Sequence, residues 1–237
     1  MSSQKAAQKT AQKIAVTLLS GGLDSLIATL KASETHRIIQ ALTFDYGQRA
    51  VNKEIQAASL LCQRYGWPHQ VVKLPLSSVL PTALKQAGQR GGLCASENES
   101  ENPVEGEART DGVNQTTRRV WVPNRNGVFL NWAASVAEAL GADGVVFGAN
   151  AVEAQSFPDN TKAFTEAISQ SLHYSTLNHV QVLSPVVDWT KAEMLCYAKE
   201  NDVPLDAIWS CYNANETPCG ECPSCQLFQQ AQQEAAF

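Results

Sequence analysis

The sequence lacks three features that would each assign a protein to a large class. It has no run near the ~18 apolar residues that a membrane-spanning helix needs, so membrane association is not expected. It has no excess of basic residues, since 18 Lys and Arg stand against 23 Asp and Glu, and stable nucleic-acid binding is not expected either. Its seven cysteines do not form the even set of a secreted disulfide scaffold. These absences favour a protein of the reducing cytoplasm.

The chain is long enough for one domain with an appendage. It has 237 residues, 44% of them hydrophobic, which suffices for a sizeable core. Residues 1–13 are polar and carry lysines but no acid, which predicts a flexible leader, with a transit peptide as the alternative. The apolar stretch 14–19 is too short for a signal-peptide core.

The first 75 residues show a hydrophobic pattern of alternating strands and helices. Short apolar runs alternate with segments whose apolar residues recur at helical spacing. Strands are predicted at 14–19, 38–44 and 69–74, and helices at 23–31 and 53–65, with Gly66 closing the second helix. A β-α-β-α-β order is typical of a doubly wound parallel sheet.

The composition changes at residues 86–119, which are rich in Gly, Ser, Asn and Glu and predict a long mobile loop. Beyond it, helices are predicted at 128–140, 161–172 and 190–200, and strands at 144–148 and 180–183. Thr190 and Glu193 have the spacing of a capping box. We therefore predict an α/β domain over residues 14–205, followed by a cysteine-rich segment over residues 206–237.

A glycine-rich loop joins the first predicted strand to the first predicted helix. Its sequence is Ser20-Gly-Gly-Leu-Asp-Ser25, at the carboxyl end of a strand, where ligands bind in open α/β sheets. The glycines expose consecutive N–H groups, the helix start adds positive partial charge, and the two hydroxyls add donors, which together form a cradle for phosphate. It is neither a Walker A loop nor a Gly-x-Gly-x-x-Gly loop. The alternative is an ordinary tight turn with helix capping.

Four cysteines lie close together near the end of the sequence. They are Cys211, Cys219, Cys222 and Cys225. Their spacing favours a closed, structural Zn²⁺ site, which leaves no open coordination position for catalysis. An iron–sulfur cluster or a redox pair in the Cys-x-x-Cys segment are the alternatives. We interpret Cys62, Cys94 and Cys196 as inert thiols, and we assign no chemistry to the four scattered histidines.

Three further motifs accompany the loop and the cysteines. They are Phe44-Asp-Tyr-Gly-Gln-Arg49, Val122-Pro-Asn-Arg-Asn126 and Trp209-Ser-Cys-Tyr212. The set resembles the 7-cyano-7-deazaguanine synthase family of N-type ATP pyrophosphatases, in the family's order, over residues 14–225 apart from the loop 86–119. The resemblance implies an adenine nucleotide alpha hydrolase-like (PP-loop) fold with a C-terminal zinc-binding segment.

The resemblance implies an ATP-dependent carbon–nitrogen ligase. Such an enzyme adenylates the carboxylate of 7-carboxy-7-deazaguanine, and ammonia then displaces AMP to give an amide. A second ATP activates the amide oxygen, and loss of AMP leaves the nitrile. Pyrophosphate is released at each activation, and Mg²⁺ accompanies the ATP. The resemblance also implies a homodimer, with a small deazapurine substrate and ammonia as partners.

The resemblance also assigns roles to individual residues. It implies catalytic roles for Asp24, which would reach the metal, and for Arg125 and Lys191. It implies nucleotide binding by Ser20, Gly21, Gly22, Leu23, Asp24, Ser25 and Phe44. It implies substrate binding by Asp45, Tyr46, Gln48, Asn126, Glu153, Phe157 and Asp159. The alternatives are a solvated helix position for Lys191 and strand-end packing for residues 44–48.

Two positions depart from the family's pattern. An arginine is absent from the segment Glu153-Ala-Gln-Ser-Phe-Pro-Asp-Asn-Thr161, although Lys162 is adjacent, and a second arginine is replaced near Phe228. Arginine grips carboxylates and phosphates with a planar fork that lysine lacks. The altered segment 153–161 and the long loop 86–119 motivate a second hypothesis, a paralogue that couples an adenylated deazaguanine to another amine, such as a protein amino terminus in antiviral defence. A third is a non-enzymatic, zinc-bearing module that senses nucleotide.

Overall fold

A computed structural model describes residues 12–80, residue 84 and residues 120–236 of the chain. Residues 1–11 of the leader predicted at 1–13 lie outside the described residues. The loop predicted at 86–119, with Cys94, lies outside them entirely. The described residues build a parallel sheet that is covered by helices.

Five parallel strands form one sheet in the order β3-β2-β1-β4-β5. They are β1 (Lys13–Leu18), β2 (His36–Asp45), β3 (His69–Lys73), β4 (Gly144–Val146) and β5 (Gln181–Leu183). The central strand β1 pairs with β2 on one side and with β4 on the other. Each strand lies where an apolar run predicted it, so the parallel sheet is confirmed.

The α-helices of the described residues alternate with the strands. They are α1 (Leu23–Ser33), α2 (Val51–Tyr65), α3 (Arg125–Ala139), α4 (Ala151–Ala154), α5 (Lys162–Ser175), α6 (Lys191–Glu200) and α7 (Pro223–Glu234). Short 3₁₀ helices occur at Ser77–Val79, Pro158–Asn160 and Leu205–Ala207. The predictions missed α4 and α7. No helix in the described part of the chain has the length and apolar character that crossing a membrane requires.

Helices cover both faces of the sheet, which confirms the doubly wound architecture. Successive residues of β1 enter two different cores: Ala15 packs with α1, α2 and α6, and Val16 packs with α3 and α5. Helices α1 and α2 lie on the first face, and the chain crosses to the second face with α3 before it enters β4. The direction of winding therefore changes between β1 and β4, which is where ligands bind in sheets of this kind.

Two signals at helix ends are confirmed. Gly66 closes α2 with a φ of 70°, a left-handed conformation that glycine adopts without strain. Thr190 and Glu193 form a capping box at the start of α6, in which each side chain bonds to the backbone of the other residue. The cap fixes the first turn of α6 and with it Lys191, the first residue of that helix.

Candidate functional site

A cleft of about 270 Å³ opens at the carboxyl ends of β1 and β4. Most residues that the resemblance assigned to the site line this cleft: Ser20, Gly22, Leu23, Asp24, Ser25, Phe44, Tyr46, Gln48, Arg125, Asn126, Glu153, Phe157 and Lys191. Gly21, Asp45 and Asp159 are not part of the lining. Motifs that are far apart in the chain thus converge on one site.

The loop between β1 and α1 requires glycine at Gly21. Its φ is 83°, and a Cβ atom there would lie 2.7 Å from the carbonyl oxygen of Glu54 in α2. The role of Gly21 in the structure is therefore to let the loop pack closely on α2. This close packing is what brings the neighbouring Gly22 and Ser20 to the floor of the cleft.

Two hydroxyl groups hold the shape of the same loop. Ser20 Oγ and Ser25 Oγ lie 3.1 Å apart, and the Ser25 hydroxyl donates to the Gly22 carbonyl oxygen at 3.1 Å. Helix α1 begins at Leu23 without a side-chain cap from Gly22, so the positive end of the helix is available to an anion. The loop therefore combines the glycines, hydroxyls and helix start that a phosphate cradle requires.

The segment that follows β4 packs directly on the start of α1. A Cβ atom at Gly148 would lie 2.9 Å from the backbone of Asp24 and Ser25, so only glycine allows this contact. Two residues later, the Asn150 side chain caps α4 by accepting from the backbone N–H groups of Val152 and Glu153. Helix α4 thereby presents Glu153 to the cleft beside the glycine-rich loop.

Lys191 lies between two carboxylates inside the cleft. Its Nζ donates to both oxygens of Asp24, at 2.9 and 2.7 Å, and lies 3.3 Å from a Glu153 oxygen. Lys191 is only 7% exposed, so the alternative of a solvated helix position is wrong. Burial alone would lower the pKa of Lys191, but Asp24 and Glu153 outweigh it and raise that pKa. The ammonium group is therefore charged at neutral pH.

Glu153 lies farther from the Lys191 ammonium group than Asp24 does, at 3.3 Å against 2.7 Å. Burial raises its pKa, and the nearby charge of Asp24 acts in the same direction, while Lys191 lowers it. The carboxylates of Asp24 and Glu153 both line the cleft, and carboxylate oxygens are among the ligands that Mg²⁺ prefers. The donor set of Asp24 and Glu153 therefore fits a magnesium ion that accompanies a nucleotide.

Arg125 supplies a second cation to the cleft from the start of α3. Its Nη1 donates to Tyr46 Oη at 3.4 Å, and its Nε donates to Asn126 Oδ1 at 3.2 Å. The preceding Asn124 adopts a left-handed φ of 53°, which turns the chain into the helix at this point. Burial raises the pKa of Tyr46, so its phenol stays protonated and neutral beside the guanidinium.

The motif at the end of β2 both packs and lines the cleft. The Phe44 ring stacks on Phe129 with ring centroids 4.2 Å apart. Gln48 accepts from the Tyr46 backbone N–H at 3.0 Å and donates to the Phe44 carbonyl oxygen at 2.9 Å. Gln48 also donates to the Glu54 carboxylate at 2.8 Å. Strand-end packing and exposure to the cleft therefore occur together in this motif.

The four clustered cysteines form a closed metal-binding geometry. Their sulfur atoms all lie within 4.8 Å of one another. The Sγ of Cys211 lies 3.5 Å from that of Cys219 and 4.0 Å from that of Cys222. A zinc–sulfur distance of about 2.3 Å places the corners of a tetrahedron about 3.8 Å apart, which fits these separations. Backbone N–H groups bonded to the sulfur lower the pKa of Cys219 to about 6, which favours the thiolate that a metal binds.

The segment that carries Cys211 also forms part of the cleft. Trp209, Ser210 and Tyr212 line it, and the Trp209 backbone N–H donates to the Gly21 carbonyl oxygen at 2.8 Å. We call residues 20–25 the N-terminal wall of the cleft and residues 209–212 the C-terminal wall. Further support comes from Arg49, whose Nη1 donates to Asn213 Oδ1 at 2.9 Å. The two walls are thus in direct contact.

Sequence reasoning missed several residues of the cleft. Glu54, Phe129, Trp209, Ser210, Tyr212, Ser224 and Phe228 line it without having been assigned to it. The motif at 209–212 was recognised, and its position next to a metal ligand was the available signal. Phe228 marks one departure from the family's pattern, and the structure places that departure in the cleft. Lys162, next to the other departure, is exposed and outside the lining.

The fold and the site together define a class of protein. A doubly wound parallel sheet with a glycine-rich loop at its switch point is a nucleotide-binding α/β architecture, and its four clustered cysteines could hold a metal ion. A family model described as "Queuosine biosynthesis protein QueC" matches residues 14–236. The chain belongs to this family.

Relatives that carry a curated name agree with this assignment. A 7-cyano-7-deazaguanine synthase of Methanosarcina mazei is 40% identical over 212 residues, covering 89% of this chain and 90% of the relative. Synthases of the same name from Carboxydothermus hydrogenoformans and Bdellovibrio bacteriovorus are 39% and 42% identical over 92% and 90% of this chain, and over 97% and 90% of their own lengths. The prediction of an enzyme of the ATP-dependent ligase or synthase type is therefore confirmed, and the non-enzymatic hypothesis is wrong.

Among solved structures, the chain is similar to NMN synthetase from Francisella tularensis. The TM-score is 0.49 and the sequence identity 15%, and the match covers 95% of this chain and 78% of the other.

Proposed function

We propose that this chain is an ATP-dependent synthase that converts 7-carboxy-7-deazaguanine and ammonia to 7-cyano-7-deazaguanine through an amide. The observation that carries the proposal is the convergence of the phosphate cradle with Lys191 and Arg125 in one cleft. A substrate carboxylate oxygen would attack the α-phosphorus of ATP, and pyrophosphate would leave. Ammonia would then displace AMP, and the amide oxygen would be activated in the same way by a second ATP.

The charges of the cleft suit this chemistry. The start of α1 and the N-terminal wall would hold the departing pyrophosphate, and Arg125 would stabilise charge at the α-phosphate. The charged Lys191 would offset negative charge near Asp24 and Glu153. Asp24 and Glu153 would hold Mg²⁺, which would neutralise charge on the nucleotide. Zn²⁺ is the metal we assign to the four cysteines.

The side chains that line the cleft outside the phosphate cradle would bind the deazapurine. Phe157 lies parallel to Trp121, with an interplanar angle of 6° and ring centroids 6.3 Å apart, and offers a flat apolar surface. Tyr46, Gln48 and Asn126 offer polar groups in the same cleft. Asp45 and Asp159, which are not part of the lining, would act by supporting the residues beside them. The Asp159 carbonyl oxygen, for example, accepts from Asn126 Nδ2 at 3.5 Å.

A second candidate function follows from Phe228. Because an arginine of the family's pattern is replaced at or near this position in the cleft, the acyl-adenylate could meet a different amine, such as a protein amino terminus. The phosphate cradle and Arg125 would serve either reaction. We give the paralogue second place because the curated relatives carry the synthase name. We also propose that the chain forms a homodimer and that it is cytoplasmic. The α/β domain would end near residue 205, where the cysteine-rich segment begins.

One experiment separates these candidates. The full chain is incubated with 7-carboxy-7-deazaguanine, ATP, Mg²⁺ and ammonium, and products are followed by mass. Nitrile with AMP supports the synthase, and a product that stops at the adenylate or amide favours the paralogue. Asp24→Ala should reduce AMP release at least ~100-fold, whereas Asp206→Ala, at an exposed position outside the cleft, should leave it unchanged. If the native, metal-loaded chain releases no AMP, both the synthase and the paralogue hypotheses are wrong.

A further inference from the structure

The metal-bearing segment brings a hydroxyl group to the phosphate cradle. Ser210 and Tyr212 line the cleft on either side of Cys211, whose sulfur belongs to the cysteine cluster. The Ser210 Oγ lies 3.5 Å from the backbone nitrogen of Leu23, the first residue of α1. It would also lie 3.4 Å from a Cβ atom at Gly22. Ser210 therefore lies next to the first residue of α1.

Ser20 approaches the same turn from the other wall. The Gly22 backbone N–H points to Ser20 Oγ at 3.4 Å, and the Leu23 N–H points to Ser210 Oγ at 3.5 Å. Both separations are at the long end for hydrogen bonds, so neither N–H group is firmly occupied. A Cβ atom at Gly22 would lie 3.4 Å from Ser210 Oγ and 3.5 Å from Ser20 Oγ, so both hydroxyls flank Gly22, and each can donate to a phosphate oxygen.

The position of Ser210 is set by its two neighbours in the chain. On one side, the Trp209 backbone donates to Gly21, and the Lys53 ammonium group lies 5.0 Å from the centre of the Trp209 ring. On the other side, the buried Cys211 accepts from the backbone N–H groups of Asn213 and Cys219 at 3.4 Å and joins the metal cluster. A metal bound by Cys211 therefore fixes the backbone one residue from the hydroxyl.

We infer that Ser210 binds the pyrophosphate portion of the nucleotide and that the metal centre positions it, so that the four cysteines support ligand binding as well as stability. The inference rests on the proposed function, because it requires a nucleotide in this cleft. It gives the metal centre a role at the site although the centre is closed, because the role passes through the backbone of the C-terminal wall rather than through an open coordination position.

The test measures binding rather than turnover. Dissociation constants of the full, metal-loaded chain for inorganic pyrophosphate, ATP and AMP are measured by calorimetry with Mg²⁺, together with the metal content. Ser210→Ala should weaken pyrophosphate and ATP binding about tenfold, with AMP binding and metal content unchanged. Ser135→Ala, which removes an exposed hydroxyl on α3, is the matched control and should change nothing. Native pyrophosphate affinity in the Ser210→Ala variant would overturn the inference.

Metal removal tests the second half of the inference. Chelation should weaken pyrophosphate binding of the native chain, and should weaken that of Ser210→Ala by a smaller factor, since the metal acts partly through this hydroxyl. An equal factor in both proteins would overturn the positioning role. If the native, metal-loaded chain binds neither ATP nor pyrophosphate, the proposed function itself fails, which is distinguishable from a failure confined to the variant.

Discussion

The two walls of the cleft are built by different physical means. The N-terminal wall is a run of consecutive residues between β1 and α1, and its shape comes from glycines, two serine hydroxyls and the helix start. The C-terminal wall has no regular secondary structure and depends on Cys211, on the bond from Trp209 to Gly21 and on the contact between Arg49 and Asn213. The N-terminal wall is therefore held by its own backbone geometry and by packing on α2, whereas the C-terminal wall is held by the cysteine cluster and by long-range hydrogen bonds.

The difference explains why a closed metal site accompanies an active cleft. A segment without helix or strand has few backbone hydrogen bonds of its own, and ordering it costs conformational entropy. Four thiolate–metal bonds, which we propose, would offset that cost at a single point. The N-terminal wall needs no such support because β1 and α1 hold both of its ends. Each wall should therefore respond to a different kind of change.

The largest effect is expected from Cys211→Ala, which removes the cysteine between Ser210 and Tyr212. The variant should lose most of its bound metal and lower the free energy of unfolding by several kcal/mol, because a structural site contributes about 10 kcal/mol in small zinc domains. Elemental analysis and thermal unfolding measure both effects. Cys196→Ala, at an exposed thiol of α6, is the control and should keep the metal. Retention of metal by Cys211→Ala would show that the cluster is not a four-ligand site.

Next comes Lys191→Met, which removes the cation that joins α6 to the N-terminal wall. The carboxylates of Asp24 and Glu153 would then lose the ammonium group that they share, so kcat/KM should fall about 10²–10³-fold. Metal content should stay native, because the change does not touch the C-terminal wall. Lys199→Met, at an exposed position of the same helix, is the control. Steady-state kinetics would contradict the assignment if kcat/KM changed less than tenfold.

A smaller effect is expected from Gly21→Ala, which strains the N-terminal wall. Its Cβ atom would lie 2.7 Å from the Glu54 carbonyl oxygen in a backbone with φ of 83°. The free energy of unfolding should fall by about 2–4 kcal/mol. Gly141→Ala has the same kind of backbone, with φ of 68°, but no atom within 4 Å, so it should cost only about 1 kcal/mol. Equal losses in urea unfolding would mean that packing on α2 does not fix the loop.

The smallest effect is expected from Thr190→Ala, which removes the cap before Lys191. The loss should be about 1 kcal/mol at pH 7. Backbone and hydroxyl bonds from Thr190 lower the pKa of Glu193, so this stabilisation is present above the unfolded pKa of about 4.3 and is lost as the pH falls through the folded pKa. Unfolding at pH 7 and below pH 4 measures the difference. A penalty that grew toward acid pH would contradict the capping role.

Local patterns predicted most of the fold and the N-terminal wall. Gly66, the Thr190 capping box and the loop of residues 20–25 act through neighbours in the sequence, and each lies where its pattern placed it. Helix α7 was missed because its glutamine-rich sequence has few large apolar residues, although these recur at helical spacing, and its packing on α6 is a tertiary effect. Contacts between residues that are distant in the sequence are harder still to predict.

The ion pair between Lys191 and Asp24 joins residues that no short-range pattern relates. The resemblance named both residues, but only the folded chain shows that one neutralises the other. Ser210 was overlooked for the same reason, since its relation to Leu23 exists only once the metal segment folds back on the sheet. Parts of the site that depend on distant contacts are therefore the parts that sequence alone leaves open.

The position of the C-terminal wall also sets an order for biosynthesis. A ribosome delivers β1, the N-terminal wall and α1 well before residues 209–212 and the last cysteine of the cluster, Cys225. A nascent chain can fold its central strands before then, but it holds only half of the phosphate cradle. The cleft therefore gains its C-terminal wall only after residues 209–212 have left the exit tunnel, so a chain still under synthesis has the N-terminal wall alone.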